Sequence, residues 1–205
     1  MLSRRALMTA GAGQVLATGF LATGFPATGF LATGPARAAA VMTDDGYYRE
    51  DWFLDSFLEL ADDRRSAAAA GRQFAIVWEQ RGCSYCRDMH LVNFADGSIE
   101  AYVRAHFDVL ELNLHGSRIV TDFDGEQLGE RQLAAKYGVR GTPIIQFFSD
   151  RGDLVAGLAS KAPQDREVHR IRGYLPPKGF LTLFAFVGEH AYERGSLRDY
   201  LRQQS

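Results

Sequence analysis

The chain has 205 residues and a formal net charge of −2, so no strong field of either sign selects nucleic acid or an acidic membrane surface. At 46% hydrophobic and 12% aromatic residues it has ample material for a packed core, and its length suggests one domain with a tail. Its two cysteines, three apart in sequence, are too few and too close to staple distant parts of a fold, which excludes a disulfide scaffold.

Residues 1–40 read as a signal peptide rather than as part of the fold. Met1-Leu2-Ser3-Arg4-Arg5-Ala6-Leu7-Met8 supplies a positive start, and a weakly apolar run follows. Ala36-Arg37-Ala38 and Ala38-Ala39-Ala40 are both small-x-small cleavage sites, which puts the cut near residues 38–40. Ser-Arg-Arg-x-Leu-Met has the form of a bacterial twin-arginine signal; the alternative is an ordinary secretory signal that carries two arginines. Between them, Ala-Thr-Gly recurs with period five from Ala17 to Gly34, which matches neither helix nor strand. The expected product is an exported, periplasmic domain over residues 41–205.

The apolar positions Trp52, Phe53, Phe57, Leu58 and Leu60 fall at helical spacing, and Ala61–Ala70 continues with helix formers up to Gly71. One helix or two are expected here. Gln73–Glu79 is nearly all apolar, as a strand buried on both faces is. Cys86–Phe94 reads as a helix, and Ser98 as the cap of another that runs to His106. Phe107–Leu114 is a strand with partial alternation, and Glu130–Tyr137 a short helix closed by Gly138. Pro143 leads into a strand, Ile144–Phe148; proline is allowed at a first strand position because no ladder donor is lost. Ser149–Asp153 is turn-like, with Leu154–Leu158 expected to pair back as a hairpin. Pro163–Tyr174 reads as helical up to the Pro176-Pro177 break, and one or two helices over Phe180–Tyr192 and Ser196–Leu201 close the chain.

Both cysteines lie in Arg81-Gly82-Cys83-Ser84-Tyr85-Cys86-Arg87, directly after the Phe74–Trp78 apolar run. That context predicts a strand, a tight turn and a helix opening at Cys83, where unpaired N–H groups stabilise thiolate. A second thiol one turn on can close a small disulfide with the first. The competing reading is a metal site. Cys83, Cys86 and His90, four residues further on, make only three ligands, zinc usually takes four and no second CxxC exists, so no metal is expected. Asp122-Phe123-Asp124-Gly125-Glu126 has the look of half a calcium loop, but the remaining ligands are missing and a surface loop beside the active site is expected instead.

Gly82-Cys83-Ser84-Tyr85-Cys86 and, some 57 residues later, Gly138-Val139-Arg140-Gly141-Thr142-Pro143 stand in an element order that resembles the thioredoxin fold: a central mixed β-sheet flanked by helices, here with extra N- and C-terminal helices. Glu79-Gln80-Arg81-Gly82 before the cysteines, Met89-His90 after them and Thr121–Glu126 resemble the SoxW-type proteins, periplasmic thioredoxins associated with sulfur oxidation. The resemblance implies a thiol–disulfide oxidoreductase with no cofactor beyond the Cys83–Cys86 disulfide. Cys83 is the attacking thiol; a free cysteine has a pKa of about 8.5 and a CxxC motif lowers the first to roughly 7 or below. Cys86 resolves the mixed disulfide. Pro143 is expected in cis, with the Thr142 backbone edge open to a substrate strand. Ser84 tunes the potential together with Tyr85, which also contacts partners. Arg81 and Arg87 either favour thiolate or are solvated loop charges.

Two departures stand out. Where thioredoxins bury an aspartate six residues before the first cysteine, this chain has Val77, and Gly82 replaces the familiar tryptophan. Glu79 is the nearest carboxylate. It either substitutes as general base, if its face of the strand points inward, or ends the strand facing water. The implied partners are a protein disulfide substrate, for this subfamily a sulfur-carrier protein of thiosulfate oxidation, and a membrane dithiol carrier that supplies electrons. The rivals are a reductant for cytochrome c maturation, a disulfide-inserting oxidase, and a binding or chaperone module with an incidental dithiol.

Overall fold

The structure, a computed structural model, describes residues 40–152 and 156–204. The signal-like stretch up to residue 39 lies outside the described residues, as do residues 153–155. The chain opens with a small antiparallel hairpin, β1 (Val41–Met42) and β2 (Tyr48–Arg49). Then follow α1 (Leu60–Ala69), β3 (Gln73–Glu79), α2 (Ser84–Asp88) extended by a wide π-type turn (Met89–Phe94), α3 (Gly97–His106) and β4 (Phe107–Asn113). A second small hairpin, β5 (Ile119–Thr121) and β6 (Gln127–Gly129), precedes α4 (Glu130–Lys136) and β7 (Ile144–Phe148). The chain ends with α5 (Ala156–Ala159), β8 (His169–Arg172), α6 (Pro177–Gly188) and α7 (Leu197–Gln203).

The main sheet has the order β4-β3-β7-β8, with β3 parallel to β4 and antiparallel to β7, and β8 antiparallel to β7. All seven residues of β3 are buried because helices cover both faces of this central strand. Ala75 and Val77 face Met89, Phe94, Ile99 and the α6 residues Phe180 and Phe184. Phe74, Ile76 and Trp78 face Leu60 and Ala67 of α1 and Leu133 and Ala134 of α4. Period-2 alternation across a strand thus fills two cores at once, which is why its sequence does not alternate.

Four expectations change. The helix anticipated from Asp51 begins only at Leu60. Phe53 and Trp52 pack edge-on against Phe94 in the α6-side core, whereas Leu60 belongs to the opposite core, so the intervening chain must cross the sheet edge and cannot stay helical. Leu58 turns this corner at φ 64°, and Phe57 is 98% exposed. Of the hairpin partner expected for Ile144–Phe148 over residues 154–158, residues 154 and 155 lie outside the described residues and Ala156–Ala159 is a helical turn; the strand that pairs with Ile144–Phe148 is β8. The helix expected over Pro163–Tyr174 is a single 3-10 turn followed by that strand, with Ile171 its one fully buried residue. Finally, α3 is capped by Asp96 rather than Ser98: its carboxylate accepts from Ser98 N at 2.8 Å and Ile99 N at 3.3 Å. Asp96→Ala should therefore cost about 1 kcal/mol in urea unfolding, and Ser98→Ala clearly less, since the Ser98 hydroxyl only donates to that carboxylate.

Candidate functional site

β3 ends at Glu79 and the chain must reverse into α2 within four residues. Gly82 makes the turn at φ 75°, a conformation a side chain rarely tolerates. This places Cys83 as the N-cap of α2, its Sγ accepting from Cys86 N at 3.1 Å. Cys83 and Cys86 are joined as a disulfide. Cys86 is 2% exposed, so Cys83 is the more accessible of the two. Ser84 is exposed, and so is Tyr85, whose ring stacks on Tyr174 just beyond β8. The Thr142–Pro143 peptide is cis, and because Ile144 pairs with Trp78 it sits at the same sheet end as the cysteines.

A cleft of about 270 Å³ opens beside the disulfide. Glu79, Cys83, Ser84 and Cys86 form one side, and Met42, Tyr47 and Tyr48 of the N-terminal hairpin the other. Arg81 holds that hairpin by donating to the Asp45 carbonyl at 2.9 Å, and Arg87, which lines the cleft with the cysteines, pairs with Asp88.

Glu79 points inward and is wholly buried. One carboxylate oxygen meets His90 Nε2 at 2.5 Å, while His90 Nδ1 meets Glu50 at 2.9 Å. Glu111, on β4 opposite Val77, is buried next to them. Burial pushes the Glu79 carboxyl up, partly countered by His90. Burial opposes a charge on His90, but its hydrogen bonds to Glu50 and Glu79 outweigh this and raise it to about 9. Glu111 is pushed up to about 8, by burial first and then by the Glu79 charge. Glu79, His90 and Glu111 bring ligand-type atoms within 4.8 Å of one another. Both ring nitrogens of His90 are committed to carboxylates, however, so the imidazole offers a metal no lone pair.

Sequence reasoning placed Glu79 but missed Glu50, Glu111 and the bond from His90 to both glutamates. The available signal was two glutamates, Glu79 and Glu111, inside apolar strand runs, with a histidine one helical turn after Cys86. The Asp122–Glu126 loop holds no gap for calcium: Lys136 and Arg166 reach Asp122 and Asp124, and Lys136 also reaches Glu126. These cations hold the Asp124 carboxyl well below the usual range, against the opposing effect of burial. The loop does not sit beside the cysteines either. Phe123 packs on Phe148, which pairs with Phe74 at the far end of β3.

Residues 60–165 match the thioredoxin-like domain family. Among solved structures, the chain is similar to a thioredoxin-fold protein from Helicobacter pylori at 20% identity, covering 70% of this chain and 92% of that one, TM-score 0.48. It is also similar to a thioredoxin from Thermus thermophilus (23% identity, 63% and 83% covered, TM-score 0.46) and to a disulphide isomerase from Xylella fastidiosa (16%, 71% and 98%, TM-score 0.43). No curated protein matches the chain.

Proposed function

The chain belongs to the thioredoxin-like domain family, and from that premise we propose that it is an exported thiol–disulfide oxidoreductase that reduces disulfides of partner proteins. The observation that carries this reading is the asymmetry of the pair: Cys83 caps a helix at the rim of a cleft, whereas Cys86 is buried behind it. An attacking sulfur must reach the substrate, and a resolving sulfur needs only to reach the first sulfur. Cys83 thiolate attacks one sulfur of the substrate disulfide and the other leaves as thiolate. Cys86 then loses its proton and attacks Cys83 Sγ, which frees the second substrate thiolate. Two electrons pass to the substrate and the protein keeps the disulfide, the only redox group this chemistry requires. The Thr142 backbone and Tyr85 flank the sulfurs as docking edge and contact surface.

The SoxW-type likeness of residues 79–90 and the arginine-bearing N-terminus support a periplasmic site of action and a sulfur-carrier client of thiosulfate oxidation. Outside the cytoplasm the dithiol draws electrons from a membrane dithiol carrier. The reduction potential of the Cys83–Cys86 couple, set in redox buffers and read by thiol trapping, tests the direction of flow. A value near thioredoxin's, about −270 mV, is expected for a reductant; a value near about −120 mV means that the protein donates disulfides instead. Absence of any redox-dependent disulfide would remove the oxidoreductase reading.

A further inference from the structure

Glu79, His90 and Glu50 form an unbroken buried chain that starts in the wall of the dithiol cleft. Glu79 lines that cleft together with both cysteines. Behind it, His90 is 1% exposed and Glu50 3%. Ionised carboxylates only accept hydrogen bonds, so an imidazole flanked by two of them carries a proton on each nitrogen. The rings of Tyr48, Phe53 and Phe94 surround the imidazole at centroid distances of 6.1, 5.8 and 5.6 Å and keep water from screening it. Glu79 uses Oε1 on His90; its Oε2 is buried and has no hydrogen-bond partner among the described residues. Leaving such a buried oxygen unpaired is costly. The disulfide has no S–H to give it. A reduced Cys86 does.

We propose that His90, held in place by Glu50, is a positioning residue of the resolving step: it keeps Glu79 ionised and turned so that Oε2 is free to take the proton of the Cys86 thiol. This rests on the oxidoreductase reading and extends it to His90 and Glu50. In the step, the Cys86 S–H bond breaks and its proton goes to Glu79 Oε2. The new thiolate attacks Cys83 Sγ, the bond from Cys83 to the substrate sulfur breaks, and the substrate thiolate leaves. Glu79 afterwards returns the proton to water through the cleft. The other charged groups near this chain are Glu111, whose carboxyl is pushed up by burial and by the Glu79 charge, and Arg49 and Arg118, whose charges act on Glu111.

The test is stopped-flow reaction of the reduced full-length protein with the aromatic disulfide dithiobis(nitrobenzoate), from pH 6 to pH 9. The first thionitrobenzoate released reports attack by Cys83, the second resolution by Cys86. At pH 7, His90→Gln should slow the second release by about 100-fold and the first by less than about 2-fold, with the deficit closing as pH rises and Glu79 ionises without its partner. Glu79→Gln should slow the second release at least as much, and the Glu79→Gln/His90→Gln double variant should be no slower than Glu79→Gln alone, because His90 acts through Glu79. Glu50→Gln, which leaves the imidazole present, should shift the profile in the same direction by less; it decides the matter if His90→Gln does not fold. A second release in His90→Gln with the wild-type pH profile, or a double variant slower by the full His90→Gln factor, overturns the proposal. A wild-type protein with no second release removes the dithiol reading along with it, whereas two normal wild-type phases with an unaffected His90→Gln remove the His90 assignment alone.

Discussion

Cys83→Ser should abolish disulfide reduction, by at least about 10³-fold, whereas Cys86→Ser should attack a disulfide once and stay bound to it. The nucleophile in thiol–disulfide exchange is a thiolate, and a serine hydroxyl does not ionise near neutral pH. With Cys83 gone, the remaining sulfur is the 2%-exposed Cys86, which a protein disulfide cannot approach without opening the α2 turn. With Cys86 gone, Cys83 keeps its place at the cleft rim but nothing is poised to displace the substrate sulfur. Incubating each variant with a disulfide-containing protein, then separating the products without reductant and weighing them by mass spectrometry, distinguishes the cases. A covalent adduct is expected with Cys86→Ser and none with Cys83→Ser. Adduct formation by Cys83→Ser would exchange the two roles, and turnover by both single variants would show that the dithiol is incidental to the activity.

The parts of this molecule that local sequence chemistry controls were legible, and those that depend on distant segments meeting were not. β3 stands out because burial on both faces leaves an uninterrupted apolar run, and the cysteine turn because glycine, cysteine spacing and strand end coincide within eight residues. β8 was hidden: on an edge strand His169, Arg170 and Arg172 keep access to water or to ion pairs, Ile171 alone is fully buried, and two prolines nearby mimic helix punctuation. The cap of α3 was ambiguous because Asp96 and Ser98 are both good cap residues, and only the backbone shows which one precedes the first helical turn. The Glu50–His90–Glu79 chain was least visible. Its members lie 40 and 11 positions apart, and only Glu79 was a candidate by itself. The N-terminal segment after β2 must fold back over α2 before Glu50 reaches the imidazole.

Glu111→Gln should stabilise the oxidised protein by about 3 kcal/mol at pH 9 and change little at pH 5. Glu111 is 4% exposed, and one of its carboxylate oxygens has no hydrogen-bond partner among the described residues. Burial, then the charge of Glu79, raises its pKa from the ordinary 4.5 to about 8, with His90, Arg49 and Arg118 only partly opposing. Between those values the unfolded chain has released this proton and the folded chain has not. The unfolded state therefore binds fewer protons, and stability falls as pH rises. The contribution is fully present below about 4.5 and is lost as pH passes about 8. At about 1.36 kcal/mol per unit the whole span sets a ceiling of roughly 5 kcal/mol, and water entry with local relaxation brings the expected gain to about 3 kcal/mol. Glutamine has nearly the same shape and never ionises, so it follows the protonated acid at every pH. Urea midpoints of both proteins at pH 5, 7 and 9, with unchanged m-values, give the difference curve. A gain as large at pH 5 as at pH 9 would mean that the Glu111 carboxyl is already ionised in the acid range. A loss at pH 9 would mean that the ionised carboxylate is paired with the arginines. In either case the buried acid would not be the weak point of the fold in alkali, and the charge balance beneath the dithiol would include an ionised Glu111 beside Glu79, His90 and Glu50.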